Sequence, residues 1–352
     1  MPADINPNAE QHNKDNNSII RKKRMKKLLS KATFLAGALT LSLSASAFDN
    51  IYFFGDSLSD TGNVQYATGG QYPARFTNGN IVAADVVAAH YGLNATASGF
   101  VIGQNLGNNY AVGGAIAIDA DGDESTPDSN LPTQVNAYLA STVTAAAPYP
   151  HSDPAALYMV VIGGNDLFAA QGIRATYHKT SPGLERQTIR KASKARVDAA
   201  VASVSDQILK LIATGATNIL VGNAPDIGSV PATDYLVASL LADSENAGQE
   251  RRAEKMYKLS TKLTARFNRK LSRAIGEIET ATGLDIFEWD MEGFTASQID
   301  DAEILGYTNT TDACAPAPQG LACEGYVFAD AVHPTSEVHG HAGNDVLSVL
   351  GE

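Results

Sequence analysis

The sequence contains little cysteine, and its two cysteines lie close together. Two thiols in 352 residues exclude a scaffold held by several disulfides and a four-cysteine zinc site. Cys314 and Cys323 delimit the proline-containing stretch CAPAPQGLAC. In an oxidising compartment we expect them to form a disulfide that closes this loop, and the alternative is a pair of free thiols.

Basic residues are also scarce relative to acidic ones. The chain has 26 Lys and Arg against 38 Asp and Glu, a formal net charge of −12. Residues 1–47 contribute +5 to that total, so residues 48–352 carry −17. An acidic surface repels phosphate groups, which argues against nucleic acid as a partner and against adhesion to anionic lipid by charge alone.

Long apolar runs are missing after the first 47 residues, where no stretch approaches the roughly 20 apolar residues of a membrane span. The apolar run over residues 28–47 follows the basic segment RKKRMKK and ends in ASA, a pattern typical of a cleaved signal peptide. Interrupting lysine, serine and threonine argue against the alternatives, a transmembrane anchor or a core helix. We therefore predict an N-terminal extension and cleaved signal peptide over residues 1–47, and a single secreted or periplasmic domain over residues 48–352.

Within that domain, apolar strand-like runs alternate with helical patterns. Continuous apolar runs are typical of strands buried on both faces of a parallel sheet. This alternation predicts one doubly wound α/β domain with a five-stranded parallel sheet between helices. The predicted strands are IYFF (51–54), NYAV (109–112), ALYMVVIG (156–163), TNILVG (217–222) and LDIFEW (284–289).

Ser57 stands out in FFGDSLSDTGN because it follows the first predicted strand directly. The surrounding Gly, Asp and Asn are common in turns, so Ser57 alone could equally be a turn residue. A serine nucleophile needs a base and an acid that orients the base. The stretch DAVHP supplies Asp330 and His333, whose three-residue separation places them on the same side of a turn.

Five blocks occur in the order found in a known family: FGDSLSDTGN, NYAVGGA, IGGND, NAPDIG and DAVHP, with RFTNG at residues 75–79. Over residues 50–345 the chain resembles the GDSL, or SGNH, hydrolase family of secreted lipases and esterases. The resemblance implies a flavodoxin-like SGNH hydrolase fold. It extends to bacterial members of the lysophospholipase A and glycerophospholipid:cholesterol acyltransferase type.

The resemblance also implies a catalytic set that needs no metal and no organic cofactor. Ser57 matches the family nucleophile, His333 the base and Asp330 the acid partner of the base. The carboxylate of such a partner fixes the imidazole tautomer and stabilises the imidazolium. Asp56 and Asp60, which flank the serine, are interpreted as structural, bracing the turn and capping the next helix.

Three oxyanion donors follow from the same resemblance. They are the backbone N–H of Ser57, the backbone N–H of Gly114 and the side-chain amide of Asn165. Gly113 is the alternative if the register of NYAVGG differs by one residue. A glycine at this position lets a substrate carbonyl approach the backbone.

We therefore expect a secreted serine ester hydrolase acting on phospholipid or lysophospholipid through an acyl-enzyme. The alternatives are acyl transfer to a sterol or another alcohol and hydrolysis of short-chain or carbohydrate O-acyl esters. A non-catalytic lipid-binding module is the alternative of another class. The expected partners are the lipid ester and, transiently, a membrane surface, with no nucleic acid and no transmembrane anchor after signal removal.

Three segments outside the blocks allow two interpretations each. Residues 118–130 alternate carboxylates but lack the glycine and final glutamate of an EF-hand, which favours a solvated acidic loop over a calcium site. Residues 171–196 are basic and are interpreted as a solvated loop, with a lid over the acyl or head-group pocket as the alternative. The loop between Cys314 and Cys323 either lies apart from the site or walls its entrance.

Overall fold

A computed structural model describes residues 48–119, 128–176 and 184–352. The predicted signal peptide over residues 1–47 and most of the acidic segment 118–130 lie outside these ranges. The prediction for the N-terminus therefore stays a prediction.

The core of the domain is a parallel sheet whose strands follow the chain in spatial order. Its members are β1 (Ile51–Gly55), β2 (Leu157–Val161), β3 (Asn218–Gly222) and β4 (Phe287–Trp289). Each pairs in parallel with the next. Four of the predicted strands are thereby confirmed, with LDIFEW shortened to its last three residues.

The fifth predicted strand, residues 109–112, is not a regular strand, so the prediction of five regular strands was wrong. The segment still runs along the free edge of β1, where the Tyr110 and Val112 N–H groups donate to the Phe53 and Gly55 carbonyls at 2.7 and 3.1 Å. The ladder stops because the Gly55 N–H donates to the side-chain oxygen of Gln134 at 2.8 Å instead of to this segment. The Nε2 of Gln134 also donates to the Gly55 carbonyl at 2.7 Å and shares it with Val112. A side chain from a distant helix thus replaces strand pairing.

Helices cover both faces of the sheet, as the α/β prediction requires. The pattern at 246–282 divides into two helices rather than one. The described helices are α1 (Asn63–Ala67), α2 (Ala83–His90), α3 (Leu131–Ser141), α4 (Gly164–Ala175), α5 (Leu184–Ala213), α6 (Pro231–Ala242), α7 (Ala247–Glu254), α8 (Met256–Thr282), α9 (Met291–Asp300), α10 (Ala302–Leu305) and α11 (Ser336–Leu350). A small parallel sheet of β5 (Asn309–Ala313) and β6 (Tyr326–Phe328) precedes α11.

Alternate side chains of the strands pack into two cores. On one face Phe54 and Val160 join a cluster with α3, α4, α5 and α8. On the other face Phe53 and Met159 pack against α2 and α11. Burial on both faces explains why these strands read as continuous apolar runs in the sequence.

The basic stretch 171–196 does not form the loop that its composition suggested. Residues 171–175 complete α4, and residues 184–196 begin α5. Residues 177–183 between them lie outside the described ranges. Within the described ranges, no helix is both long and apolar enough to cross a membrane.

Candidate active site

The carboxyl end of β1 presents Ser57 on a tight turn. Gly55, the last residue of β1, must lack a side chain because a Cβ there would collide with the Val161 carbonyl of β2. The turn is then held by Asp60, whose carboxylate accepts the N–H groups of Gly62 and Asn63, both at 2.7 Å. The predicted capping role of Asp60 is confirmed.

Ser57, His333 and Asp330 lie in one hydrogen-bonded chain. The Ser57 Oγ is 2.7 Å from the Nε2 of His333, and the His333 Nδ1 is 2.7 Å from the Oδ2 of Asp330. Ser57 and His333 are both more than nine-tenths buried. The structure therefore brings together the three side chains that the sequence placed at opposite ends of the domain.

The environment of Asp330 keeps its carboxylate charged. Burial alone would raise the pKa of Asp330, but the hydrogen bond and charge of His333 outweigh burial, so the pKa is lowered. The Val332 and His333 N–H groups add to this by donating to its Oδ1, each at 2.9 Å. A carboxylate that stays ionised can hold the imidazole in the tautomer whose Nε2 accepts a proton.

The RFTNG stretch supports the histidine, a role that sequence reasoning missed. The ring of Phe76 lies 5.2 Å from the ring of His333, centroid to centroid. Next to it, the Thr77 hydroxyl donates to the carbonyl of Pro334 at 3.1 Å. The position of RFTNG among the family blocks was the only sequence signal of this contact.

Two of the predicted oxyanion donors are backbone N–H groups, those of Ser57 and Gly114. Among the described residues, neither the Ser57 N–H nor the Gly114 N–H has a hydrogen-bond acceptor. Gly114 has a φ of +81°, a conformation that favours glycine. The alternative, Gly113, instead donates its N–H to Asp60 at 2.8 Å. The geometry therefore favours Gly114 over Gly113.

Asn165 is the second residue of α4. Its Nδ2 donates to the carbonyl of Ala115 at 2.8 Å, which ties the start of α4 to the residue that follows Gly114. Asn165 lines the same cavity as Ser57 and His333, whereas Gly114 does not line it. One amide hydrogen of Asn165 is engaged in this way, and its second hydrogen has no acceptor among the described residues.

These observations fit the outcome of comparison with known proteins. The profile of the family described as GDSL-like Lipase/Acylhydrolase matches residues 51–346. The chain belongs to this family. Membership supports hydrolysis of carboxylic esters as the general activity.

Relatives from several organisms match most of the chain. It is 27% identical to Lipase 1 of Photorhabdus luminescens over 90% of this chain, yet it spans about half (53%) of that lipase. It is 27% identical to acetylajmalan esterase 2 of Rauvolfia serpentina, covering 80% of this chain and 79% of the relative. It is 23% identical to the phosphatidylcholine-sterol acyltransferase of Aeromonas hydrophila, covering 87% and 92%.

In this GDSL-family protein a buried acid, Asp56, directly precedes the serine and makes a hydrogen bond within the turn. Its Oδ1 accepts the Leu58 N–H at 3.1 Å, as expected of a residue that braces the turn. Burial raises the pKa of Asp56 to about 6, and the nearby His333 reduces this rise. Asp56 therefore adds a titrating group beside the site that the sequence did not reveal.

An apolar cavity adjoins the cavity at the serine. The cavity that contains Ser57 and His333 shares six lining residues with a second cavity: Leu58, Val161, Pro225, Val230, Met291 and Val332. Apart from Ser59, Thr295 and His339, the lining of the second cavity is apolar.

His339 is 3% exposed, and its Nε2 has no hydrogen-bond partner in the described part of the chain. Burial lowers the pKa of His339 to about 3, and the nearby His333 contributes.

The predicted disulfide between Cys314 and Cys323 is present. Asn78 of RFTNG anchors its loop, donating to the carbonyls of Leu321 and Ala322 at 3.1 Å each. No residue from 314 to 323, all of them described, lines the cavity at Ser57 or the apolar cavity beyond it. The idea that this loop walls the entrance therefore gains no support from the cavity lining.

Proposed function

We propose that this protein is a secreted serine hydrolase that cleaves lipid esters, namely phospholipids or lysophospholipids. The observation that carries the proposal is the Ser57–His333–Asp330 hydrogen-bond chain with both links at 2.7 Å. Family membership supports ester hydrolysis in general. The lipid substrate is the finer part of the proposal.

In the proposed mechanism the oxygen of Ser57 attacks the ester carbonyl while His333 accepts the serine proton at Nε2. His333 then gives this proton to the leaving alcohol, and a water molecule activated by the same nitrogen releases the acid. Asp330 stabilises the imidazolium throughout. The Ser57 and Gly114 N–H groups and the Asn165 amide would donate to the oxyanion, each contributing about 3 kcal/mol.

The apolar cavity beyond Leu58 supports a substrate with an acyl chain. Its wall of aliphatic and aromatic side chains would bury methylene groups, at about 0.8 kcal/mol for each. A short acetyl ester would leave most of this wall without a contact. We therefore place lipid esters ahead of short-chain or carbohydrate O-acyl esters.

A fluorophosphonate probe and a lipid panel test the proposal together. Wild-type protein should be labelled and should release fatty acid from phospholipid or lysophospholipid, whereas Ser57→Ala should do neither. A p-nitrophenyl ester series should show activity rising beyond acetate. Equal labelling of Ser57→Ala, or no labelling of the wild type, would favour a non-catalytic lipid-binding module. Activity confined to acetyl esters would favour the O-acyl esterase alternative.

Acyl transfer is the second candidate, favoured by the similarity to a phosphatidylcholine-sterol acyltransferase. In that reaction an alcohol instead of water would attack the acyl-enzyme. Incubating radiolabelled phospholipid with and without cholesterol separates the two activities. Sterol ester as the main product would replace hydrolysis as the assignment.

Export is part of the same proposal and rests on the residue pattern before residue 48. Cleavage after Ala47 would leave Phe48 as the first residue of the mature protein. Mass spectrometry of protein recovered from the periplasm or the medium measures this end directly. Intact residues 1–47 on the exported protein would contradict a cleaved signal peptide.

A further inference from the structure

A second concave site lies between the end of α4, the start of α5 and the helices α6 to α8. It is a cleft of about 550 Å³. Among the described residues 13 line it, of which eight are Lys or Arg and none is Asp or Glu. Residues 48–352 contain 18 basic side chains in all, so nearly half of them converge on this one cleft.

Several of these cations have no internal partner. Arg190, Arg251, Lys255, Lys258 and Lys262 are exposed, and none makes a hydrogen bond or ion pair with another described residue. Other basic side chains of the domain are paired, as Arg75 is with Asp85 and Arg266 is with Asp198. Like charges held together repel each other, and an anion in the cleft would relieve that repulsion.

Apolar side chains in the lining of the cleft indicate which kind of anion fits. Leu240 of α6 and Leu259 of α8 line the cleft together with the cations, and both are partly exposed. Cationic side chains beside aliphatic ones are typical of surfaces that rest on anionic membranes. A free phosphate would contact the cations only and would leave the apolar side chains without a contact.

The cleft is rigidly connected to the site at Ser57 through α4. Asn165, the second residue of this helix, lines the cavity of the serine, and Arg174 lines the cleft nine residues later, about 14 Å along the helix axis. Gln171 fixes the helix between them by donating to the hydroxyls of Thr233 and Ser260, both at 2.7 Å. A surface that docks at the cleft would therefore lie at a fixed distance from the serine.

We propose that this cationic cleft binds the phosphate groups of anionic lipid head groups and docks the protein on an anionic bilayer. The acidic net charge of residues 48–352 argued against adhesion to anionic lipid by charge alone. At this one face the clustered cations reverse that expectation. It adds a binding site to the proposed lipid ester hydrolase, and it is tested separately from catalysis.

Vesicle flotation tests the cleft with Ser57→Ala protein, which leaves the lipids intact. Phosphatidylcholine vesicles containing phosphatidylglycerol should bind the protein, and vesicles of phosphatidylcholine alone should not. The triple variant Lys255→Glu, Lys258→Glu, Lys262→Glu should lose at least about 100-fold in partitioning, given roughly 1 kcal/mol for each lysine near an anionic surface and added repulsion from each glutamate. Added salt should weaken wild-type binding.

A charge-matched control is Lys194→Glu, Arg269→Glu, Arg273→Glu, which reverses three basic side chains outside the cleft. It should keep wild-type vesicle binding. Equal loss in both triple variants, or no loss in the cleft variant, would overturn the inference. Binding of inorganic phosphate without binding of vesicles would also overturn it. Fluorophosphonate labelling of the cleft variant, made with Ser57 intact, shows that the variant folds. If the wild type binds vesicles but is never labelled by the probe, only the enzyme proposal is refuted.

Discussion

Ser57 and His333 are 276 residues apart in the chain, and their Oγ and Nε2 atoms lie 2.7 Å apart. The serine follows β1, whereas the histidine lies between β6 and α11. The packing of α11 on α2 holds the two parts of the chain together on one face of the sheet. The proposed chemistry therefore depends on contacts between elements that are distant in sequence.

Asp330→Asn should reduce kcat about 1,000- to 10,000-fold, because an amide cannot hold His333 in the tautomer that accepts the serine proton. The measurement is steady-state hydrolysis of a p-nitrophenyl ester by purified protein. Asp285→Asn, at an exposed aspartate, is the matched control and should leave kcat unchanged. A similar kcat for both variants would remove Asp330 from the mechanism.

Asn165→Ala should reduce kcat about 100- to 1,000-fold with a smaller change in KM, because an oxyanion donor acts mainly in the transition state. Asn344→Ala changes an exposed asparagine of α11 and should have no effect. If Asn165→Ala raises KM and leaves kcat intact, the amide binds substrate instead of stabilising the oxyanion.

The pH dependence of stability should reveal the buried histidine. His339 binds a proton with a pKa of about 3 in the folded protein and 6.5 in the unfolded chain. Between these values the unfolded state binds more protons, so stability is full above pH 6.5 and falls as the pH is lowered. Between pH 7 and pH 5 this loss should amount to about 2 kcal/mol.

Comparison with His339→Gln isolates this effect, because Asp56 titrates in the same range with the opposite sign. Its pKa, raised from 3.8 to about 6, makes Asp56 favour the folded state as the pH falls through 6. Denaturant unfolding at pH 5 and pH 7 should show the additional loss in wild type only. The same pH dependence in both proteins would show that His339 does not titrate as inferred.

Gly343→Ala should destabilise the fold by about 1 to 3 kcal/mol, because its Cβ would collide with the side chain of Val86 where α11 crosses α2. Gly340→Ala lies one turn earlier on α11, where a Cβ meets no atom within 4 Å. That control should be stabilising by about 0.5 to 1 kcal/mol. Thermal unfolding measures both, and equal effects would contradict the close packing of the two helices.

Much of the architecture could be predicted from the sequence because burial leaves a local pattern. Strands covered on both faces read as apolar runs, and four of the five predicted runs are regular strands. The run at 109–112 has the same local pattern, but whether it completes a ladder depends on Gln134 of α3, whose side-chain oxygen accepts the Gly55 N–H in place of this run. No property of the run itself reports that competition.

The candidate catalytic residues were named from ordered motifs, since the motifs keep the residue types that the chemistry needs. Their meeting, the engagement of the Gly113 N–H by Asp60, and the raised pKa of the acid beside Ser57 were decided only by tertiary structure. The cationic cleft is the clearest case, because its lysines and arginines come from separate helices. Sequence patterns indicate how each segment is buried. A surface formed by several segments depends instead on which of those segments pack side by side, and this is set by the tertiary structure.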